Sequence, residues 1–284
     1  MKKLLTVFLG LFLLVGFSAC GAKNDQNKDE VIQAYVDKNN AMTTKNAVEV
    51  DMGADFNVKK SATVPNDVNL KLDFNLKLSK KDGCAVVTGN LESKDIVPLL
   101  RAYFNMTGGS NEKINLGVAL DSAYTYVNID NKWYKEKMSA SDAKGFQDAL
   151  KQEGKTTKKD MTEYFDTLSN AKYEINDTNY VITATIDYKA FGKMGKIMPA
   201  GDAMSTSDLQ DLKKENFKMT LVLTIPKSDA LETQMVIKDI SANSLGTTKL
   251  GPITINIKAS DDKIVIPAAA QKGGSFAELP AVAY

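Results

Sequence analysis

Few side chains in this sequence could do chemistry, and the missing types remove most of the familiar reactions. The chain has 35 Asp+Glu, two cysteines (Cys20 and Cys84) and no histidine. That excludes Ser-His-Asp and Cys-His catalysis, His-ligated zinc or haem, and histidine pH switching. Arg101 is the only arginine, so bidentate guanidinium clamps on phosphate are nearly excluded as well. No spacing among the acids separates an acid/base pair from solvated surface. Asn24 to Asp29 superficially matches a calcium loop but lacks its central Gly and its position-12 Glu. Gly192-Lys-Met-Gly195-Lys196 has neither Walker spacing nor the preceding strand and turn of a phosphate loop, and no G-x-S-x-G elbow occurs. The expectation is a protein that is not an enzyme and uses no metal and no cofactor. With 36 Lys+Arg against 35 acids and a pI of about 7.6, nucleic acid is not an expected partner either.

The residue whose setting does imply chemistry is Cys20. Lys2 and Lys3 precede an apolar run over residues 4–17, which is shorter than the about 20 residues a bilayer span needs and suits a signal-peptide core. The run ends in Phe17-Ser18-Ala19-Cys20-Gly21. Small residues before a cysteine, directly after such a core, resemble the lipobox of a bacterial lipoprotein, with Phe17 where Leu is commoner. The resemblance implies cleavage between Ala19 and Cys20 and a diacylglycerol, with further acylation such as palmitate, on Cys20. Two acyl chains would anchor the chain stably at the outer face of the cytoplasmic membrane of a Gram-positive-type envelope. Residues 1–19 are then signal peptide. Residues 20–30 are the lipidated cysteine and a polar tether (GAKNDQNKDE from Gly21) with a mean reach of roughly 17–19 Å. Cys84 is left without a disulfide partner and reads as a free structural thiol or, in a cationic exposed setting, a reactive one.

These residues need elements to position them, and the pattern is mostly β. From Val68 to Leu78, Val68, Leu70, Leu72, Phe74, Leu76 and Leu78 alternate with Asn69, Lys71, Asp73, Asn75 and Lys77. This is a strand with one face buried and the other in water. Residues 48–58 repeat the pattern, and the loop 61–65 makes the two an antiparallel pair. Further strands are predicted over 84–91, 114–120, 123–129, 173–176, 180–186, 217–225, 231–240, 253–257 and 264–266. A hairpin turns at Asp130-Asn131-Lys132 into Trp133 and Tyr134. Nothing alternates strand and helix as a parallel sheet does.

Helices are predicted over 30–42, after capping boxes at Ser139-Ala-Ser-Asp142 and Thr157-Lys-Lys-Asp160, over 188–198, and from Ser207. The fold class is therefore α+β: a large, mainly antiparallel sheet of roughly ten strands, with short helices covering its apolar face. The domain spans 31–267, and the Ala-, Gly- and Pro-rich tail 268–284 is expected to be poorly ordered.

An amphipathic opening helix, long one-sided strands, the Val-Asn-Ile-Asp-Asn-Lys-Trp-Tyr-Lys hairpin (Val127 to Lys135) and the closing Ile264-Val-Ile-Pro267 are together similar to the LolA-like lipoproteins. That grouping includes uncharacterised families of Gram-positive bacteria and lipid carriers of mycobacteria. The resemblance implies that the sheet is curved into an unclosed β-barrel, with the short helices across its apolar concave face and a cavity that holds lipid or acyl chains, and it carries no catalytic residues. Trp133 and Tyr134 at the cavity entrance, and Phe191, Met194 and Met198 in a lid helix, are the candidate lining residues; plain core packing is the alternative for each. The expected function is a monomeric, membrane-anchored carrier or chaperone for lipid or acyl chains. The alternative is an envelope interaction or sensor-accessory lipoprotein that binds a protein or polymer and has no lipid cargo. A solute-binding lipoprotein with two α/β lobes does not fit the strand pattern.

Overall fold

A computed structural model describes residues 27–58, 66–151, 156–190, 206–243 and 249–279. It is α+β, with one 12-stranded, mostly antiparallel sheet that does not close on itself. Six α-helices and one 3₁₀ turn accompany the sheet among the described residues. The chain divides into two compact units, Met1–Thr44 with Gly154–Pro252 and Lys45–Glu153 with Ile253–Tyr284.

The first unit holds α1 (Lys28–Thr43), β7 (Ser169–Ile175), β8 (Asn179–Asp187), β9 (Lys218–Pro226) and β10 (Glu232–Ser241), with the helices over Lys158–Thr167 and Thr206–Lys214. Helix α1 buries Val31, Ile32, Tyr35, Val36 and Met42, as its apolar spacing predicts, and Asp29 and Glu30 sit favourably at its positive N-terminal end. The helix at Lys158 starts at the predicted capping box: Thr157 and Asp160 each accept from the other's backbone N–H. Beneath them Tyr173, Ile182, Ala184, Ile186, Leu221, Leu223 and Ile225 form a buried sheet face. Phe165 sits among Tyr164, Tyr35 and Tyr173 with ring centroids 5.3, 5.8 and 6.4 Å away, all edge to face. Burial with no compensating charge pushes the Tyr35 hydroxyl up to about 12. Lys28 and Asp166 form a buried ion pair, and Asn39 donates to Thr156 Oγ1 at 2.7 Å. After β8, Asp187 Oδ1 accepts from the N–H groups of Lys189 and Ala190, both at 2.9 Å. Residues 188–190 are helical; the rest of the predicted helix lies outside the described residues.

The second unit holds β1 (Ala47–Val58), β2 (Val68–Ser79), β3 (Cys84–Glu92), α2 (Ile96–Tyr103), β4 (Lys113–Leu120), β5 (Tyr124–Ile129), β6 (Lys132–Lys137) and α3 (Ala140–Lys151). Most of β11 (Lys249–Ser260), the helix Ala268–Gln271, β12 (Gly274–Ser275) and the 3₁₀ turn Phe276–Glu278 complete it. The strand order through the sheet is β12-β6-β5-β4-β3-β2-β1-β11-β10-β9-β8-β7. The β1–β2 pair is antiparallel and in register from Ala47↔Ser79 to Val58↔Val68, so the two alternating patterns face the same way, as predicted. Sequence reading missed α2. Pro98 in its first turn is tolerated because that position has no intrahelical N–H bond to lose, and Arg101 fixes the helix. The Arg101 guanidinium donates to Ser110 O, Gly108 O and the Asp130 carboxylate, each at 2.6 Å.

Two expectations about the C-terminal part are corrected. Residues 264–266 are not a strand of the sheet. They lie extended on the sheet face, with Ile264 and Ile266 buried and Val265 exposed. There they pack with Ala47, Cys84, Val86, Ala119, Tyr126 and Ala270 in one apolar cluster. Within the tail, residues 268–278 also carry regular structure: a short helix buries Ala270, β12 pairs parallel with β6, and Ser275 and Glu278 form a capping box. The apolar end of this sheet face needs cover, and the residues after β11 provide it.

Candidate functional site

Of the residues singled out in the sequence, Ala19, Cys20, Phe191, Met194 and Met198 lie outside the described residues. Trp133 and Tyr134 are successive residues of β6, so their side chains leave opposite faces of the sheet, and they do not share one cavity entrance. Tyr134 is buried. Trp133 is half-buried against the cluster under residues 264–270 and reaches back over β4, where a Cβ added to Gly117 would meet its Cη2 at 3.4 Å. Cys84 is buried, and its thiol donates to Ile264 O at 3.3 Å. Burial, and then the charges of Asp82 and Asp121, push its pKa up, so it is an inert structural thiol.

The two faces of the second unit differ in kind. One carries Val48, Val50, Met52, Leu72, Phe74, Leu76, Leu78, Val87, Leu116, Val118 and Leu120, brought side by side by the registers β1–β2, β2–β3 and β3–β4. Val50 is buried, but Met52, Leu72, Phe74, Leu76, Leu78, Leu116 and Leu120 keep partial exposure, and Val118 is 38% exposed. The first unit, by contrast, leaves Ile182 and Ile225 at 0%. The apolar face of the second unit is thus the less completely covered of the two.

The opposite face carries a shallow, open depression of about 560 Å³. Asp51, Asp73, Asn75, Thr88, Asn90, Thr254 and Asn256 line it, together with Met52, Gly53, Phe74 and Gly89 of the same strands. Register brings them together: Asp51, Asn75 and Thr88 stand in one cross-strand row, and Gly53, Asp73 and Asn90 in the next. Asn75 Nδ2 bridges Glu49 Oε1 and Asp51 Oδ1, each at 2.7 Å. That hydrogen bond, with Lys77 and Lys258 nearby, holds the Glu49 carboxyl below its ordinary range against the effect of burial. Lysines partner the lining carboxylates: Lys71 Nζ is 3.1 Å from Asp73, and Lys258 Nζ is 3.7 Å from Asp51. Asn90 Oδ1 is a buried acceptor with no protein hydrogen-bond partner. Among the described residues no group of three His, Cys, Asp or Glu side chains could hold a metal ion. Sequence reading passed over this site because each residue looks like the solvated side of an amphipathic strand; only the pairing register makes them converge.

No family model matches the chain, and no curated protein matches it. Among the described residues no helix is long and apolar enough to cross a membrane.

Proposed function

We propose that the protein is a membrane-anchored, extracytoplasmic lipoprotein of the LolA-like kind, carrying lipid or acyl chains against the apolar face of its sheet. The carrying observation is the incomplete cover of that face, where seven large apolar side chains on β1, β2 and β4 stay partly exposed and Val118 is 38% exposed. Buried apolar area is worth roughly 25 cal/mol per Å². A long acyl chain laid along these strands would gain what the protein's own side chains leave unclaimed. The lipobox at Ala19-Cys20 supports placing the protein at the outer membrane face, beside such chains. No residue is assigned a catalytic role.

The test is native mass spectrometry, with lipid extraction, on the mature chain purified from its host as Cys20→Ser, which removes the anchor but not the sheet. Near-stoichiometric extractable lipid is expected, along with saturable uptake of a fluorescent fatty acid. Val118→Lys should weaken that uptake several-fold while leaving the melting temperature unchanged, since an exposed position tolerates charge. A clean apo mass with no uptake would overturn the carrier reading, and retention of Cys20→Ser in the membrane pellet would overturn the lipobox.

A further inference from the structure

From the polar depression we infer that the sheet carries a second binding site, on the face opposite the acyl-chain face, for a neutral, hydroxyl-rich oligosaccharide.

The lining chemistry narrows the ligand. Asp51 and Asp73 accept hydrogen bonds, Thr88 and Thr254 both donate and accept, the carboxamide of Asn90 carries both functions, and Asn75, whose two amide hydrogens are spent on Glu49 and Asp51, keeps only its oxygen as an acceptor. An array that mixes acceptors with hydroxyls at strand spacing matches the vicinal hydroxyls of a sugar, each of which is donor and acceptor at once. Among the described residues an anion finds no unshared cation here, because Lys71 and Lys258 are turned onto Asp73 and Asp51. A metal ion finds only two carboxylates in the lining.

Three further features belong to a built site. Gly53 leaves a gap in the polar carpet: a Cβ placed there would meet only Asp73 Oδ1, at 3.4 Å, so the missing side chain is what opens the depression. Asn90 Oδ1 is buried with no hydrogen-bond partner among the described residues, a desolvation cost that rotation of its carboxamide toward a bound hydroxyl would relieve. The row Asp51–Asn75–Thr88 continues through Gly117 and Asn128 to Trp133, and the indole lies back over the side-chain-free Gly117. An apolar ring face at the end of a polar row is what the C–H face of a pyranose stacks on. From β11 to β4 is four strand spacings, about 19 Å at about 4.8 Å each, or about four sugar rings.

Trp133 is the only tryptophan in the chain, so tryptophan fluorescence, excited selectively over the tyrosines, reports this row alone. The experiment titrates the mature Cys20→Ser chain with a β-1,4-linked N-acetylglucosamine tetramer and with maltotetraose, taking tetragalacturonate as the charged control. Fluorescence and calorimetry are both read. Saturable binding of a neutral tetramer is expected, weakened at least fivefold by Gly53→Leu, which fills the gap from an open position, and by Asn90→Ala. Thermal melts of both variants confirm that they are folded. No calorimetric binding by either neutral tetramer overturns the site, as does binding that Gly53→Leu leaves unchanged. Binding by tetragalacturonate alone overturns the ligand class.

Discussion

Phe165 and Leu99 are both large apolar residues on helices, and their surroundings give them opposite weights. Phe165 is 1% exposed and edge-on to three tyrosine rings. Phe165→Ala therefore removes a buried ring and leaves a cavity that the rigid tyrosines cannot close, at a cost of about 3–5 kcal/mol. Leu99 is 66% exposed on α2, and Leu99→Ala should change stability by less than about 0.5 kcal/mol. Urea unfolding of the two variants checks the contrast, and equal midpoints would refute it. The helix that carries Phe165 is legible in the sequence, since Met161, Tyr164, Phe165 and Leu168 recur at helical spacing after the Thr157-Lys-Lys-Asp160 capping box. It could not mark Arg101 as the anchor of α2, because the acceptors that satisfy it, Gly108 O, Ser110 O and Asp130, are loop carbonyls and a turn carboxylate that local pattern does not place.

At the scale of elements, the segment 264–270 acts as a clasp on the sheet. Ile264 and Ile266 seal Cys84 beneath them, and Asp82 Oδ2 accepts from Ile264 N at 3.1 Å and from Ser79 Oγ at 2.7 Å. Cys84 is thereby a reporter of clasp opening, the only thiol left once Cys20 is substituted. Ile264→Ala removes apolar contact on the clasp alone, so local opening should become more frequent without global unfolding. Since about 1.4 kcal/mol is tenfold in an equilibrium and Ile→Ala in a core costs about 2–5 kcal/mol, Cys84 labelling by a thiol reagent should accelerate at least about tenfold. An unchanged rate would mean that the thiol is reached by another route. This element also marks a limit of sequence reading. Ile264, Val265 and Ile266 alternate in the same way whether the segment pairs within a sheet or lies across one. The long alternation of β2 had only one solution, and its register with β1 followed from it. The polar depression needed more than either strand, since it exists only where two registers and one missing side chain coincide.

For the whole molecule, the absence of histidine becomes a statement about pH. No side chain has an ordinary pKa between about 5 and 8, so the usual side-chain source of a stability step in that range is missing. At the acid end, Asp82 is held below its ordinary 3.8 by Ser79 and the Ile264 N–H, Asp261 by Lys45 and the Asn46 N–H, and Glu49 lies below its ordinary 4.5. Each depressed carboxyl binds its proton more readily unfolded than folded. Their contribution is therefore complete above about pH 5 and is lost as pH falls through the folded values. At the alkaline end the sign reverses. Cys84 lies above its ordinary 9.0, and burial, with a hydrogen bond to Asp121, lifts Tyr126 to about 12. The unfolded chain releases these protons first, and stability falls as pH climbs past about 9. Melting temperature against pH should accordingly be a plateau, flat within about 2 °C from pH 6 to 8, with a shoulder on each side. A step near pH 6.5 would contradict this. Asp82→Asn tests the acid shoulder directly: it should lower the plateau and shrink the drop between pH 5 and 3, because the variant has already lost the charge that acid would neutralise.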